Sequence, residues 1–236
     1  MYSHSKKSGK FDTFYILDLD RTLVRTDDLR KAYEQTLLKI APELTKDITT
    51  ARIRYKSNFD LIAYIYAVLL KKRSSSEVEK LLTHVNTVFI NHARKQSFLE
   101  PFAAELLKYL EKNKIPMGIL TTGGDAWQNL KIEAAGLSRI PHLIIHGFEK
   151  GKLINTWRQH NGDYVLPEEF DNIHVKSLVF LDDKTVSFIG IPVDVVGLRI
   201  ISVTAQEPLE KDTPLPPNVS QVKGLKEAMK LLFFVV

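Results

Sequence analysis

The sequence predicts an α/β fold, a doubly wound parallel sheet with a helical domain inserted into it. The first observation behind this prediction is that short apolar runs, typical of strands buried on both faces, alternate with helical patterns along most of the chain. The second is a long helical block without glycine between the first apolar run and the next. We therefore expect an α/β core formed by residues 11–25 and 97–236, and a helical cap formed by residues 26–96.

Short apolar segments are the predicted core strands. The first, Phe14–Leu17, is an unbroken apolar run, as expected for a strand at the centre of a parallel sheet. The others are Ile115–Leu120, His142–Ile145, Val175–Leu181 and Leu198–Val203.

Helices are predicted between these strands and throughout the cap. In the core they cover residues 101–113, 126–135 and 224–233; Pro101 suits the first turn of one, and Gly136 ends another. In the cap, helical spacing predicts helices near residues 29–39, 58–70 and 77–94. Ser74, followed three residues later by Glu77, is a capping signal for the last of these helices.

Composition excludes several classes of function. The 236 residues carry a net charge of +5, and because the basic residues are scattered, nucleic-acid binding is not indicated. The chain has no cysteine, which excludes disulfides and thiolate metal sites. No apolar run reaches the roughly 20 residues that span a bilayer, so we expect no membrane association. Residues 1–10 are polar and basic, which indicates a disordered arm or a cloning remnant. Because they contain no secretion signal, we expect a cytoplasmic protein. The sequence does not determine the oligomeric state.

Two carboxylates follow the first predicted strand directly. Asp18 and Asp20 stand two residues apart, and Thr22 follows them. Asp is common in turns, so an isolated pair of this kind is interpreted first as turn residues. At the carboxyl end of a buried parallel strand, however, two uncompensated carboxylates repel each other, and a bound cation is the natural compensation.

Other strand ends supply residues for the same chemistry. Thr121, or Thr122 if the strand runs one residue further, precedes two glycines that allow backbone N–H groups to approach an anion. Asp182 and Asp183 follow the strand Val175–Leu181, and together with Asp18 and Asp20 they would form an oxygen site suited to magnesium.

A lysine would complete a phosphate-binding pocket. Lys150 is favoured because Gly151 and an amphipathic stretch follow it. Lys152 and Lys176 are the alternatives, and a lysine considered alone is most often a solvated surface charge.

These motifs, in this order, resemble those of the haloacid dehalogenase (HAD) superfamily. The segment from Asp18 to Thr22 resembles its first motif, D-x-D-x-T, and the apolar strand that ends in Thr121 resembles its second. Lys150-Gly151 resembles the third motif, and the apolar strand ending in Asp182-Asp183 resembles the fourth. The helical block after the first motif is similar to the helical cap of the family. The resemblance therefore implies a HAD-like, Rossmannoid core.

The resemblance also implies a mechanism. Asp18 would attack phosphorus and form an aspartyl-phosphate, while Asp20 would protonate the leaving oxygen and then activate water. Magnesium would be bound by Asp18, the backbone carbonyl of Asp20 and Asp182. Asp183 would either bind the metal directly or support another ligand.

The implied substrate is a small phosphorylated metabolite. Thr121, with Thr122 as its alternative, and Lys150 would hold the phosphoryl oxygens. Dehalogenases of the family lack the second carboxylate of the first motif, so Asp20 favours phosphate chemistry. We therefore expect a magnesium-dependent phosphatase; a phosphotransferase or phosphomutase, and a catalytically silent binding module, are the alternatives.

Overall fold

The computed structural model describes residues 11–54, 60–147, 149–205 and 214–233. Over these ranges the chain builds a seven-stranded sheet flanked by helices, which confirms the predicted fold class. The strands are β1 (Phe11–Leu17), β2 (Met117–Thr122), β3 (His142–Ile145), β4 (Tyr164–Val165), β5 (His174–Asp182), β6 (Val196–Ile201) and β7 (Val219–Lys223). The predicted arm at residues 1–10 lies outside the described residues.

Helices connect the strands and form the inserted block. They are α1 (Thr26–Ile40), α2 (Thr45–Arg54), α3 (Leu61–Leu69), α4 (Ser75–Ala93), α5 (Ala103–Lys112), α6 (Asp125–Ala134), α7 (Lys150–Thr156) and α8 (Gly224–Phe233). Short 3-10 helices occupy Pro42–Leu44, Glu168–Phe170 and Thr185–Phe188. No helix in the described part of the chain is long and apolar enough to cross a membrane.

The order of the strands places β1 at the centre of the sheet. The order is β3-β2-β1-β5-β6-β7, all pairs being parallel, while β4 pairs antiparallel with β5. Leu17, near the end of β1, is aligned with Ile119 on one side and with Leu181 on the other. The carboxyl ends of β1, β2 and β5 therefore meet at one edge of the sheet, where ligands of open α/β folds bind.

Two strands were not predicted. β4 has only two residues, which is too short to leave a periodic signal. β7 follows a proline-rich loop and lies at the sheet edge; Val219 and Val222 are buried, while Ser220 and Gln221 are exposed. An edge strand needs few apolar residues, so this segment does not show the continuous apolar pattern of the central strands.

The cap helices α1 to α4 leave and rejoin the core through two adjacent segments. Val24 and Leu99 form an antiparallel bridge, and the Arg25 N–H donates to the Phe98 carbonyl over 2.8 Å. Ser74 and Glu77 form the predicted capping box at the start of α4.

The cap and the core share one hydrophobic cluster. Tyr33 of α1 packs edge-on against Phe89 of α4, with ring centroids 5.2 Å apart, and lies 5.3 Å from the ring of Trp127 in the core helix α6. Tyr33 and Phe89 are fully buried and Trp127 is 5% exposed. Apolar packing therefore holds the cap above the edge of the sheet where the strand ends meet.

Candidate active site

Strand ends bring three carboxylates together. Asp18 follows β1, and its backbone N–H donates to the Leu181 carbonyl over 2.9 Å, which continues the pairing of β1 with β5. Asp182 is the last residue of β5, and Asp183 follows it. One carboxylate oxygen from each of the three aspartates lies within 4.8 Å of the others. Asp18 is 3% exposed and Asp182 is fully buried, whereas Asp183 is only partly buried and gives the cluster its access to solvent.

Lys150 is the cation of this cluster. Its Nζ donates to Asp18 Oδ1 over 2.5 Å and to Asp182 Oδ2 over 2.6 Å. Lys150 begins α7, and Gly151 explains how that helix comes so near: a Cβ at position 151 would lie 2.6 Å from the Ile189 carbonyl oxygen. The absence of a side chain at Gly151 lets α7 pack against the backbone between β5 and β6 and extend Lys150 into the cluster.

The electrostatics of the cluster indicate excess negative charge. Burial, opposed by Lys150 and reinforced by the neighbouring aspartates, raises the pKa of Asp18 to about 7. Burial and the charges of Asp18 and Asp182 also raise the pKa of Asp183 well above its ordinary value. The pKa of Lys150 is raised because the two carboxylates it contacts outweigh its burial.

The cluster suits a divalent cation. Three carboxylates against one ammonium leave two negative charges when all are ionised, and Asp18 Oδ2 is buried without a hydrogen-bond partner among the described residues. A hard cation such as Mg²⁺ prefers oxygen ligands of this kind and would balance that charge. The predicted ligands Asp18, Asp182 and Asp183 thus lie together, whereas the side chain of Asp20 points to other partners.

Asp20 occupies a separate environment. Its Oδ1 accepts a 2.6 Å hydrogen bond from the Thr26 hydroxyl and an ion-pair contact from Lys131 Nζ, and its Oδ2 accepts a 3.1 Å bond from Gln128 Nε2. Burial disfavours the charged form of this carboxyl group, but the Lys131 ammonium and the three hydrogen bonds outweigh that effect and lower its pKa to about 2. Asp18 and Asp20 therefore have widely separated pKa values although they are two residues apart.

The two candidate threonines differ in their surroundings. The Thr121 side chain is fully buried, and its Oγ1 has no hydrogen-bond partner among the described residues. The Thr122 Oγ1 donates to the Gly147 carbonyl over 3.2 Å. Thr121 therefore keeps an unused donor at the end of β2, which is the property expected of a group that binds an anion.

Both glycines after β2 are needed for close contacts. Gly123 has φ of +150°, and a Cβ there would lie 2.4 Å from Gln128 Nε2. At Gly124, the residue before α6, a Cβ would lie 1.6 Å from Asp60 Oδ2, which belongs to the cap. Gly123 thus makes room for a partner of Asp20, and Gly124 allows the cap to approach the core.

A cavity of about 80 Å³ opens beside the cluster, between the cap and the core. It is large enough for a few water molecules or a small polar group. Asp20, Thr122 and Asp183 line it, with both glycines after β2. The remaining lining residues are Arg21, Thr26, Asp27, Arg30, Asp60, Trp127, Gln128, Lys131 and Lys184.

The structure separates the three candidate lysines. Lys152 pairs with Glu149 and Lys176 with Asp12, all four being exposed, so only Lys150 of the three reaches the carboxylates.

Sequence reasoning missed Gln128, Lys131 and Thr26 as partners of Asp20. Lys131 left a signal, because it lies between the apolar residues Leu130 and Ile132 on a helix whose side chains are mostly buried.

The fold was compared with solved structures. A haloacid dehalogenase-like hydrolase of Burkholderia xenovorans aligns with a TM-score of 0.61 at 15% identity, covering 94% of this chain and 96% of that one. A 2-haloacid dehalogenase of Pseudomonas syringae aligns with a TM-score of 0.57 at 17% identity, covering 94% and 98%. A protein of Thermotoga maritima described as a β-phosphoglucomutase aligns with a TM-score of 0.52 at 12% identity, covering 96% and 100%.

Sequence comparison gives the family itself. No curated protein sequence matched the chain. A family model described as "Haloacid dehalogenase-like hydrolase" matches residues 15–152, which include Asp18, Asp20, Thr121 and Lys150. This match covers more than half of the chain, and the fold comparisons agree with it. The chain belongs to the haloacid dehalogenase-like hydrolase family.

Proposed function

We propose that the protein is a magnesium-dependent phosphatase that hydrolyses a small phosphate monoester through an aspartyl-phosphate. The observation that carries this proposal is the contrast between Asp18 and Asp20. Asp18 lies in a buried carboxylate cluster with Lys150, while Asp20 lies beside the cavity with its own set of donors. Two carboxylates in such different environments suit two different roles in one reaction.

In the first step, Asp18 attacks phosphorus through a carboxylate oxygen, and the bond from phosphorus to the leaving oxygen breaks. The Asp20 carboxyl group gives its proton to that oxygen, which departs as an alcohol. The low pKa of Asp20 describes the protein without substrate; a phosphate dianion beside it would raise that pKa, because like charges disfavour ionisation. Asp20 is then better able to carry the proton.

In the second step, Asp20 acts as a base. Its carboxylate takes a proton from water, the water oxygen bonds to phosphorus, and the bond between phosphorus and the Asp18 oxygen breaks. Inorganic phosphate leaves and Asp18 is regenerated. Lys150 and the free hydroxyl of Thr121 hold phosphoryl oxygens through both steps, which stabilises charge in the transition state.

Asp18, Asp182 and Asp183, with the backbone carbonyl of Asp20, would hold the magnesium ion. When bound, the ion supplies positive charge that lowers the repulsion between the nucleophile and the phosphate. The cavity of about 80 Å³ supports a small leaving group. The presence of Asp20 supports phosphate chemistry over dehalogenation, since no halide departure requires a proton.

The direct test is hydrolysis of 4-nitrophenyl phosphate by the purified protein with magnesium. We expect turnover that a chelator abolishes and added magnesium restores, and that Asp18→Asn eliminates. Asp12→Asn is the matched control, because Asp12 is exposed, pairs with Lys176 and lies at the opposite end of β1 from Asp18. Turnover retained in Asp18→Asn would contradict the nucleophile role, and chelator-resistant turnover would contradict the metal role.

The acceptor of the phosphoryl group is tested separately. With small alcohols or sugar phosphates present, a phosphatase releases inorganic phosphate in step with 4-nitrophenol. A phosphotransferase or phosphomutase instead gives a phosphorylated acceptor and less inorganic phosphate. Release of halide from a 2-haloacid, in the absence of phosphatase activity, would show that the protein is a dehalogenase and would contradict the proposal.

A further inference from the structure

Asp20 lies at the point where the chain leaves the core for the cap. Arg21 follows it with a positive φ of 59°, and the Arg21 N–H donates to the Val24 carbonyl over 2.8 Å. Thr26, which donates to Asp20 Oδ1, is already the first residue of α1. Of the three side chains that hold Asp20 in the described part of the chain, Thr26 therefore belongs to the cap.

The other two donors belong to the core. Gln128 and Lys131 lie one turn apart on α6, the helix that follows β2, and their side chains are only 3% and 2% exposed. Gln128 Nε2 also donates to the Thr122 carbonyl over 2.6 Å, which fixes the amide relative to the strand end. Asp20 is thus fastened to the core through one donor on each of its two oxygens.

This arrangement is costly for a purely structural feature. Lys131 Nζ is buried, lies 5.6 Å from the centre of the Trp127 ring, and neighbours apolar residues along α6. Burying an ammonium and a carboxylate as a pair seldom stabilises a fold more than apolar side chains of the same size would. Gly123 is also required, because any Cβ at that position would displace the Gln128 amide.

We propose that Lys131 and Gln128 are positioning residues that hold the Asp20 carboxyl group against the leaving-group oxygen independently of the cap. This inference rests on the proposed phosphatase function and adds to it two residues outside the four motifs. Without them, Thr26 alone would remain of the described side chains that hold Asp20, and Thr26 belongs to the cap. This role concerns proton delivery to the leaving oxygen. Loss of either residue should therefore slow the reaction most for substrates whose leaving group needs a proton.

The test compares two substrates that differ in that need. 4-Nitrophenolate leaves readily without a proton, whereas the benzyl alkoxide of benzyl phosphate requires one. In Lys131→Met, which keeps the length of the side chain and removes the charge, we expect kcat/KM for benzyl phosphate to fall about 10²-fold. For 4-nitrophenyl phosphate we expect a fall of less than about threefold, since general-acid catalysis contributes little there. Lys108→Met, at an exposed position of α5, is the matched control.

Equal losses on the two substrates would overturn the proposal, because they would assign Lys131 to general anion binding or to folding. Gln128→Met provides a second variant if Lys131→Met does not fold, and it should show the same selective loss for benzyl phosphate. An unchanged ratio of the two activities in a folded Gln128→Met protein would also overturn the proposal.

A double-mutant cycle with Asp20 distinguishes a positioning role of Lys131 from a purely structural one. If Lys131 acts through Asp20, then Lys131→Met should not lower kcat/KM for benzyl phosphate any further in a protein that already carries Asp20→Asn. Full additivity of the two losses would overturn the inference. A wild-type protein without phosphatase activity, or an active Asp18→Asn variant, would instead contradict the proposed function, so the two failures are distinguishable.

Discussion

Thr121→Val should raise stability and lower activity at the same time. The Thr121 hydroxyl is fully buried and has no partner among the described residues, and such a group costs roughly 1–3 kcal/mol of folding free energy. Valine has nearly the same shape, suits a strand equally well and removes that cost. We expect the variant to be more stable by about 1 kcal/mol, which corresponds to a rise in Tm of about 2–4 °C for a chain of this length.

The same substitution removes a donor to the phosphoryl group. Loss of one preorganised donor of this kind lowers the rate about 10²–10³-fold, and we expect that loss in kcat/KM for 4-nitrophenyl phosphate. Inorganic phosphate should also raise the Tm of the wild-type protein more than that of the variant, because a ligand that binds the folded state more tightly stabilises it more at the same concentration.

Thermal unfolding without ligand and steady-state kinetics together test this reasoning. Thr185→Val is the matched control: the Thr185 hydroxyl is also buried without a partner among the described residues, but Thr185 begins the 3-10 helix Thr185–Phe188 beyond the end of β5 and has no role in the proposed site. It should gain similar stability and keep full activity. A Thr121→Val protein that is destabilised and fully active would refute the argument, since the hydroxyl would then serve the fold and not the substrate.

Three further predictions concern the supports of the site and the fold. Gly151→Ala should lower the free energy of unfolding by about 1–3 kcal/mol and reduce activity, because the new Cβ would meet the Ile189 backbone and push α7, with Lys150, away from the cluster. The control is Gly147→Ala, whose Cβ would meet nothing within 4 Å, and it should change neither stability nor activity. Ser74→Ala should lower stability by about 1 kcal/mol in thermal unfolding without changing kcat, because it removes one half of the α4 capping box. Burial raises the pKa of Glu100, so its contribution to stability is complete below the unfolded pKa and is lost as pH rises through the folded pKa. The Tm of Glu100→Gln relative to wild type should therefore increase as the pH rises above about 4.3, the ordinary pKa of glutamate, and a constant difference would contradict this.

The carboxylates could be located from sequence because local patterns determine them. A buried strand is recognisable as an apolar run, and the residue after it must lie at the edge of the sheet, which is enough to place Asp18 and Asp182 near each other. Lys150 was harder to choose, because a lysine carries no periodic signal. The glycine that follows it was informative for a packing reason: a helix can approach the backbone near Ile189 only where it lacks a side chain.

The surroundings of Asp20 depend on contacts that no local pattern contains. Lys131 follows Trp127 by four residues and lies beside Leu130, so helical spacing places it on the apolar stripe of α6, where a lysine requires a partner. That partner is 111 residues away in sequence, and only the folding of β1 beside β2 brings the two together. A lysine on the buried stripe of the helix that follows a strand of the site should nevertheless have been paired with the nearest predicted carboxylate. Charged residues on apolar faces near a predicted site are therefore better treated as partners of that site than as surface charges.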